Sequence, residues 1–442
     1  MPQHKVGRES MIGCYSRRIR FSGAAFLFTV LFLGVINPVS AQSYLFILKW
    51  GSNGSGDGQF NYSYGIAADG SGNVYISELY GYRVQKFTTS GSFILKWGTQ
   101  GSGDGQFDRS LGVAIDGSGN VYVADDNNHR VQKFDSSGSF MLKWGSFGSG
   151  DGQFYGPSNV AVDGSGNVYV SDTSNNRIQK FNSSGGFVTK WGSSGTGDGQ
   201  FSFPAGVAVD SSGNVYVVDN SNNRVQKFAV SGSLVTFLTK WGSYGSGDGF
   251  FSAPRGIAVD GSGDVYVADY FNHRVQKFTG SGSFITKWGG LGSGDGQFRY
   301  PAGVAVDGSG NVYVADTSNH RVQKFGQGYT LTITTTTGGT TNPSPGSHTY
   351  IVGATVSVTA TPNVGYYFDH WELPPGANIG SFNPISLTMT KDYSLHAVFA
   401  SAPPSVPEFP SANLSLFAST LAFMVVFYFT LKKKKKIHSK QL

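Results

Sequence analysis

The sequence predicts an all-β chain: a six-bladed β-propeller, a small all-β domain, and a single C-terminal transmembrane helix. Three observations carry this. Near-copies of PAGVAVDGSGNVYVADTSNHRVQKF (residues 301–325) occur at 65–87, 112–134, 159–181, 206–228 and 256–278. From 329 to 400 the pattern changes to Thr-rich alternating runs. Residues 411–431 are apolar and uncharged, long enough to cross a bilayer. The tryptophans before the copies (Trp50, Trp97, Trp144, Trp191, Trp241, Trp288) set a period of 47 residues, once 50. A repeat of this size, built of short alternating runs and Gly/Asn/Asp turns, is the mark of a four-stranded propeller blade.

The last copy shows how a blade is built. Residues 303–306 alternate small and branched side chains, which suits a crowded innermost strand. Asp307 to Gly310 is a tight turn, because Asp bonds its own backbone and Gly accepts positive φ. Residues 311–315 and 321–325 give the second and third strands, and earlier copies add a fourth, such as 92–97. The sixth copy has no fourth strand of its own, but residues 45–50 at the other end of the chain repeat 93–97 almost letter for letter. An N-terminal strand that completes the last blade would close the ring and hide two sheet edges.

The pattern V-A-V-D-x-S-G-N-V-Y-V-A-D…N-H-R-V-Q-K-F resembles the NHL repeat family over residues 43–326. The resemblance implies a six-bladed propeller. It implies no single function, because that family includes binding modules, sensors and some enzymes.

Residues 1–41 carry Arg17, Arg18 and Arg20, an apolar run at 26–35 and Val39-Ser40-Ala41 before Gln42, the features of a secretory signal cleaved between Ala41 and Gln42. The only cysteine, Cys14, would leave with it, so the expected mature protein is exported and has no disulfide. Residues 42–326 hold 21 Lys+Arg and 22 Asp+Glu, a net of −1, so the chain's +6 comes from its ends. A near-neutral domain argues against a nucleic-acid partner.

The runs TLTITTTT, ATVSVTAT and YSLHAVF predict a small β domain over 329–400. GATVSVTATPNVGYYFDHWE with HAVF resembles short β repeats of bacterial and archaeal surface proteins, which implies a spacer or adhesive module. Trp371 and Phe368 read as core residues there. Residues 401–413 are a Pro-rich linker. The lysines at 432–436 within the basic tail 432–442 orient the helix with the tail inside, placing the propeller outside the cell on a single-pass membrane anchor. Val406 to Pro410 before that helix resembles archaeal PEF-type C-terminal sorting signals.

Function is sought where the blades differ. The D-G-S-G-N turn on one face is nearly constant, whereas the loop leading into each inner strand varies. Its Arg and aromatic residues, Tyr62, Tyr64, Arg109, Tyr155, Phe203, Arg255, Arg299 and Tyr300, form the expected ligand-binding patch around the channel mouth. An acid and an Arg recur in every blade, Glu78 with Arg83, Asp125 with Arg130, Asp172 with Arg177, Asp219 with Arg224, Asp269 with Arg274 and Asp316 with Arg321. Recurrence in all six marks structural ion pairs, since chemistry would be needed once. The same holds for Asp57, Asp104, Asp151, Asp198, Asp248 and Asp295 of the glycine-rich loops.

His129, His273 and His320 share one turn position, where other blades hold Tyr82, Asn176 and Asn223. Three imidazoles suggest zinc, but these lie in an outer turn on blades that are spread around the ring, so they read as turn residues. D-G-S-G-N echoes half of a calcium loop without its closing Glu. No metal or other cofactor is therefore expected. Asn53, Asn61 and Asn182 begin N-x-[ST] sequons. Two function classes remain open: a membrane-anchored binding or adhesion protein taking a protein or glycan partner, which is favoured, and an extracytoplasmic metal-dependent lyase or hydrolase at the channel mouth.

Overall fold

Strands of alternating Val, Tyr and Phe bury both faces in each repeat, and the result is six four-stranded antiparallel blades. The computed structural model describes residues 43–403 apart from Pro375. The predicted signal segment with Ala41 and Gln42, linker residues 404–413, the apolar run 411–431 and the basic tail lie outside the described residues. Among the described residues no helix is long and apolar enough to cross a membrane.

The inner strands are Ser63–Ala68, Ser110–Ile115, Pro157–Val162, Pro204–Val209, Ile257–Val259 and Pro301–Val306. Each packs on the next, and the sixth packs on the first, so they form a ring around a narrow channel. Small residues allow this approach. A Cβ on Gly65 would lie 2.2 Å from the Leu111 carbonyl oxygen, and one on Gly303 would lie 2.3 Å from that of Tyr64. Between blades, the tyrosine of one second strand packs on the valines and phenylalanines of the next blade, as Tyr313 does on Val74 and Phe87.

The constant D-G-S-G-N turn bonds to itself. Asp69 Oδ1 accepts the N–H groups of Ser71 (2.9 Å) and Asn73 (2.8 Å), while its Oδ2 accepts Asn73 Nδ2 (2.7 Å) and the Tyr75 hydroxyl (3.2 Å). Burial, reinforced by this carboxylate, pushes the Tyr75 phenol well above its ordinary range. Lys86 lies over the same ring at 5.1 Å. The carboxylate oxygens that echo a calcium loop thus serve the turn itself.

The N-terminal strand Ser43–Trp50 pairs antiparallel with the third strand of blade six. Tyr44 stacks on Trp288 at 4.3 Å, and its hydroxyl lies 2.7 Å from that of Tyr266. Four of the other tryptophans are covered by a turn glycine of the next blade, as Gly91 covers Trp50 and Gly138 covers Trp97. Blade six lacks that turn because its third strand runs on, so Tyr44 takes its place. Lys49 also reaches Asp295 at 2.5 Å, repeating the exposed pair of Lys96 with Asp57 (2.6 Å). These lysines are the partners of the glycine-rich-loop aspartates.

The chain is continuous strand across residues 326–329. One strand, Arg321–Thr335, belongs to blade six in its first half and to the second domain in its second half. There it pairs with Tyr393–Ser401 and Gly346–Ile351, and the sheet continues through Tyr366–Leu373 and Ala377–Gly380. A second sheet of Gly339–Asn342, Thr355–Pro362 and Ile385–Thr388 covers it. The core between them holds Leu331, Ile333, Val358, Leu395 and a fully buried Trp371, with Phe368 packed against it. Trp371 Nε1 donates to the Phe382 carbonyl at 2.9 Å, satisfying the buried indole.

Candidate functional site at the channel mouth

The recurring acid and Arg form one unit per blade. In blade two, Arg130 Nε donates to Asp125 Oδ2 at 2.7 Å, and its other nitrogens donate to the carbonyls of Ser102, Gly103 and Gln106 in the glycine-rich loop. Asp125 also accepts the N–H of Asp108 (2.8 Å), the Asn128 amide and Gln132 Nε2. Burial pushes this carboxyl up, and the amide bonds and Arg130 pull it back. Every donor and acceptor faces the scaffold, so the unit positions the two loops of the mouth face.

The histidines act in the same way. Nδ1 of His129, His273 and His320 accepts the backbone N–H of Gly156, Tyr300 and Tyr62 in the next blade, at 3.2, 3.1 and 3.3 Å. Asn176 and Asn223 accept Phe203 and Ala253 N–H groups at 2.9 and 2.8 Å through their side-chain oxygens. Burial and then Arg299 hold His273 below the usual imidazole range, against the smaller opposing pull of Asp269 and Asp316. Its folded value lies below its unfolded value of about 6.5. Its contribution is therefore whole above that pH and is lost as pH falls through it. We predict that His273→Asn keeps the stability measured at pH 7.5 and shows a smaller fall in melting temperature between pH 7.5 and 5.5 than the parent. Equal falls would refute this role for His273.

The mouth itself is a basin of about 320 Å³ lined by Tyr64, Arg109, Asp126, Phe203, Asn220 and Arg255, among others. The guanidinium carbon of Arg255 lies over Tyr270, 3.8 Å from the ring centre, and its Nη1 donates to the Tyr64 hydroxyl at 3.0 Å. Across the basin Arg109 Nη1 pairs with Asp126 Oδ2 at 3.1 Å. Burial pushes the Asp126 carboxyl up, while Arg109 and His129 draw it down. The walls between blades three, four and five are tied together. Ser158 and Thr173 hydroxyls donate to the Ala205 and Pro204 carbonyls at 3.0 and 2.8 Å, and Asn220 Nδ2 donates to that of Pro254 at 2.8 Å.

The eight expected patch residues separate into two sets. Tyr64, Arg109, Phe203 and Arg255 line the basin. Tyr62, Tyr155, Arg299 and Tyr300 do not, which corrects the expectation of one patch at the mouth. Tyr62 packs edge-on against His320 and Tyr80, Tyr155 against Phe147 and His129, and Tyr300 against Phe271 and His273, with Tyr270 tilted beside it. Arg299 is exposed on the outer rim. The cause is the neighbourhood of each side chain. Residues 62, 109, 203 and 300 share a left-handed φ between 50° and 64°, but Tyr62 and Tyr300 are held by aromatic and histidine rings beside them, whereas Arg109 pairs with Asp126 in the basin.

Asp126, Asn220 and Tyr270 were not anticipated. They occupy the residue just after the structural acid, where the other blades hold Leu79, Thr173 and Thr317. Comparing the blades at that position would have revealed them, since it varies as much as the loop. Of the sequon asparagines, Asn53 and Asn182 are exposed, while Asn61 is half-buried and donates to the Tyr80 carbonyl. Among the described residues no three His, Cys, Asp or Glu side chains converge as a metal site would require.

Comparison with known proteins finds NHL repeats at 107–134, 154–181, 201–228, 251–278 and 298–325. It also finds a divergent InlB B-repeat domain at 329–403. No curated protein matches the chain. Among solved structures it is similar to a streptogramin B lyase (14% identity, 64% of this chain and 98% of that one, TM-score 0.47). It is also similar to a Bacteroides thetaiotaomicron protein of unknown function (22%, 64% and 76%, TM-score 0.48). A gluconolactonase from Xanthomonas campestris gives 14%, 61% and 88%, with a TM-score of 0.47. These likenesses carry no argument about chemistry.

Proposed function

We propose that this chain of NHL repeats is a membrane-anchored extracytoplasmic binding and adhesion protein whose propeller mouth takes a protein or glycan partner. The carrying observation is Arg255. Its guanidinium is held by Tyr270 and Tyr64 at the edge of the basin, and no carboxylate pairs with it among the described residues. A scaffold arginine would resemble Arg130, with an acid and three carbonyls around it. Arg255 is instead rigid and presented, as a recognition anchor is.

Export and anchoring are supported by the sequence features at 1–41 and 411–442, with the archaeal-type sorting signal at 406–410 among them. The second domain continues a propeller strand without a hinge, which suits a stiff spacer that holds the mouth away from the membrane. The alternative, a metal-dependent lyase or hydrolase, has no comparable convergence of ligand side chains among the described residues.

The test is retention of solubilised cell-envelope components by the full chain, held in detergent on a support through its C-terminal tail. Arg255→Ala should lower retention by about tenfold or more, as loss of a central anchor does. Arg299→Ala, on the outer rim, should leave it within about twofold, as rim residues do. Equal retention of Arg255→Ala and the parent would sink the proposal.

A further inference from the structure

The innermost layer of the channel is glycine in five blades, Gly65, Gly112, Gly206, Gly256 and Gly303, because a Cβ there meets the neighbouring backbone. Blade three carries Asn159 instead. Its Oδ1 accepts the Val160 N–H at 2.7 Å, and its side chain lines the channel below the basin. Opposite it in the strand register stands Ser171, whose buried hydroxyl has no hydrogen-bond partner. The serine at the same position in blade one, Ser77, accepts the Gly65 N–H at 3.0 Å. Blade three thus breaks the local packing rule to place an amide side chain in the throat, with a buried, unpartnered serine hydroxyl behind it, and such breaks mark functional positions.

Channel and basin share Tyr64, Ser158, Ala205 and Arg255, so Arg255 stands at the neck between them. Of its guanidinium nitrogens, Nη1 has a protein acceptor, the Tyr64 hydroxyl. A planar fork of N–H groups that is half-buried and unpaired with an acid fits a carboxylate in two-point contact. On the basin side, the Arg109–Asp126 pair offers a donor and an acceptor side by side, and Arg109 Nε is buried without a partner. That pairing matches adjacent sugar hydroxyls, and Phe203, 52% exposed, adds a flat apolar face beside them.

We propose that the mouth binds an acidic glycan, with a sugar carboxylate on Arg255 at the neck, Asn159 below it, and the neighbouring hydroxyls on Arg109 and Asp126. This rests on the binding reading above and names the ligand class. An acidic peptide would use Arg255 as well; the adjacent donor and acceptor of the Arg109–Asp126 pair beside the flat face of Phe203 favour vicinal sugar hydroxyls, and the peptide is an arm of the test.

The full chain is applied to an array of uronate- and sialate-bearing oligosaccharides beside their methyl esters, sulfated sugars and Asp/Glu-rich peptides. We expect a carboxylate sugar to bind about tenfold or more tightly than its methyl ester, as for loss of one charge-assisted hydrogen bond. Arg255→Gln should erase that preference. Asn159→Gly, which installs the residue of the other five blades, should weaken binding without lowering the melting temperature. Equal binding of acid and ester overturns the inference, as does binding of sulfated sugars alone or of peptides alone. Silence of the whole array while envelope retention persists overturns the ligand class and leaves the binding reading standing. Loss of both removes the binding reading too.

Discussion

Removal of Ser43–Trp50 is expected to lower the melting temperature of the protein by roughly 10–20 °C. The strand closes blade six along Arg321–Thr335 and brings Tyr44, Phe46 and Trp50 into the cores on either side of it. Burial of one such side chain contributes about 1.5–3 kcal/mol, so three contribute about 5–9 kcal/mol. That is comparable to the whole net stability of a typical domain, about 5–15 kcal/mol. The deletion also uncovers Trp288, which has no turn glycine above it, and leaves a long unpaired edge open to association. Tyr44→Ala should give a smaller loss of the same sign. Thermal unfolding of both variants checks this, and an unchanged melting temperature for the deletion would mean that the ring closes some other way.

Asp125→Ala is expected to destabilise by about 3–5 kcal/mol, the usual result of stripping one partner from a buried pair. The aspartate is fully buried, and Arg130 is 6% exposed. Without the carboxylate, the guanidinium keeps its carbonyl partners but loses the neutralising charge. The Asp108 N–H loses its acceptor as well, and the Asn128 amide keeps only the Gly101 carbonyl. An exposed pair gives the control. Asp104→Ala, which frees only Lys143, should change stability by less than about 1 kcal/mol. Denaturant midpoints of the two variants separate the cases, and similar shifts would show that the buried unit has no special weight.

The structural acids show how far the repeats could be read. Their recurrence identified them as scaffold, and their partners lie where the sequence placed them. Blade one departs twice from the pattern, with Glu78 for Asp and Gly81 where blade two has Asn128. In the fold the two changes are one. A Cβ on Gly81 would lie 2.3 Å from Glu78 Oε2, so the extra methylene of Glu78 places its carboxylate in the space of the missing amide. A position-by-position reading treats such residues separately, and only packing joins them.

The sequence by itself determined the blade count, the strand order within a blade, the N-terminal closing strand and the scaffold role of the Asp–Arg pairs. All of these follow from local period and from repetition, which a linear chain displays directly. Tertiary structure alone decided which variable residues meet. Arg255 and Asn159 come from blades five and three, Arg109 and Asp126 from blade two, and they share a mouth because the ring closes. It also decided that Tyr300 supports Tyr270 on the rim, and that no linker separates the domains. The physical reason is that the neighbours around a loop side chain, and distance across a closed ring, depend on tertiary geometry that spacing along the chain does not encode.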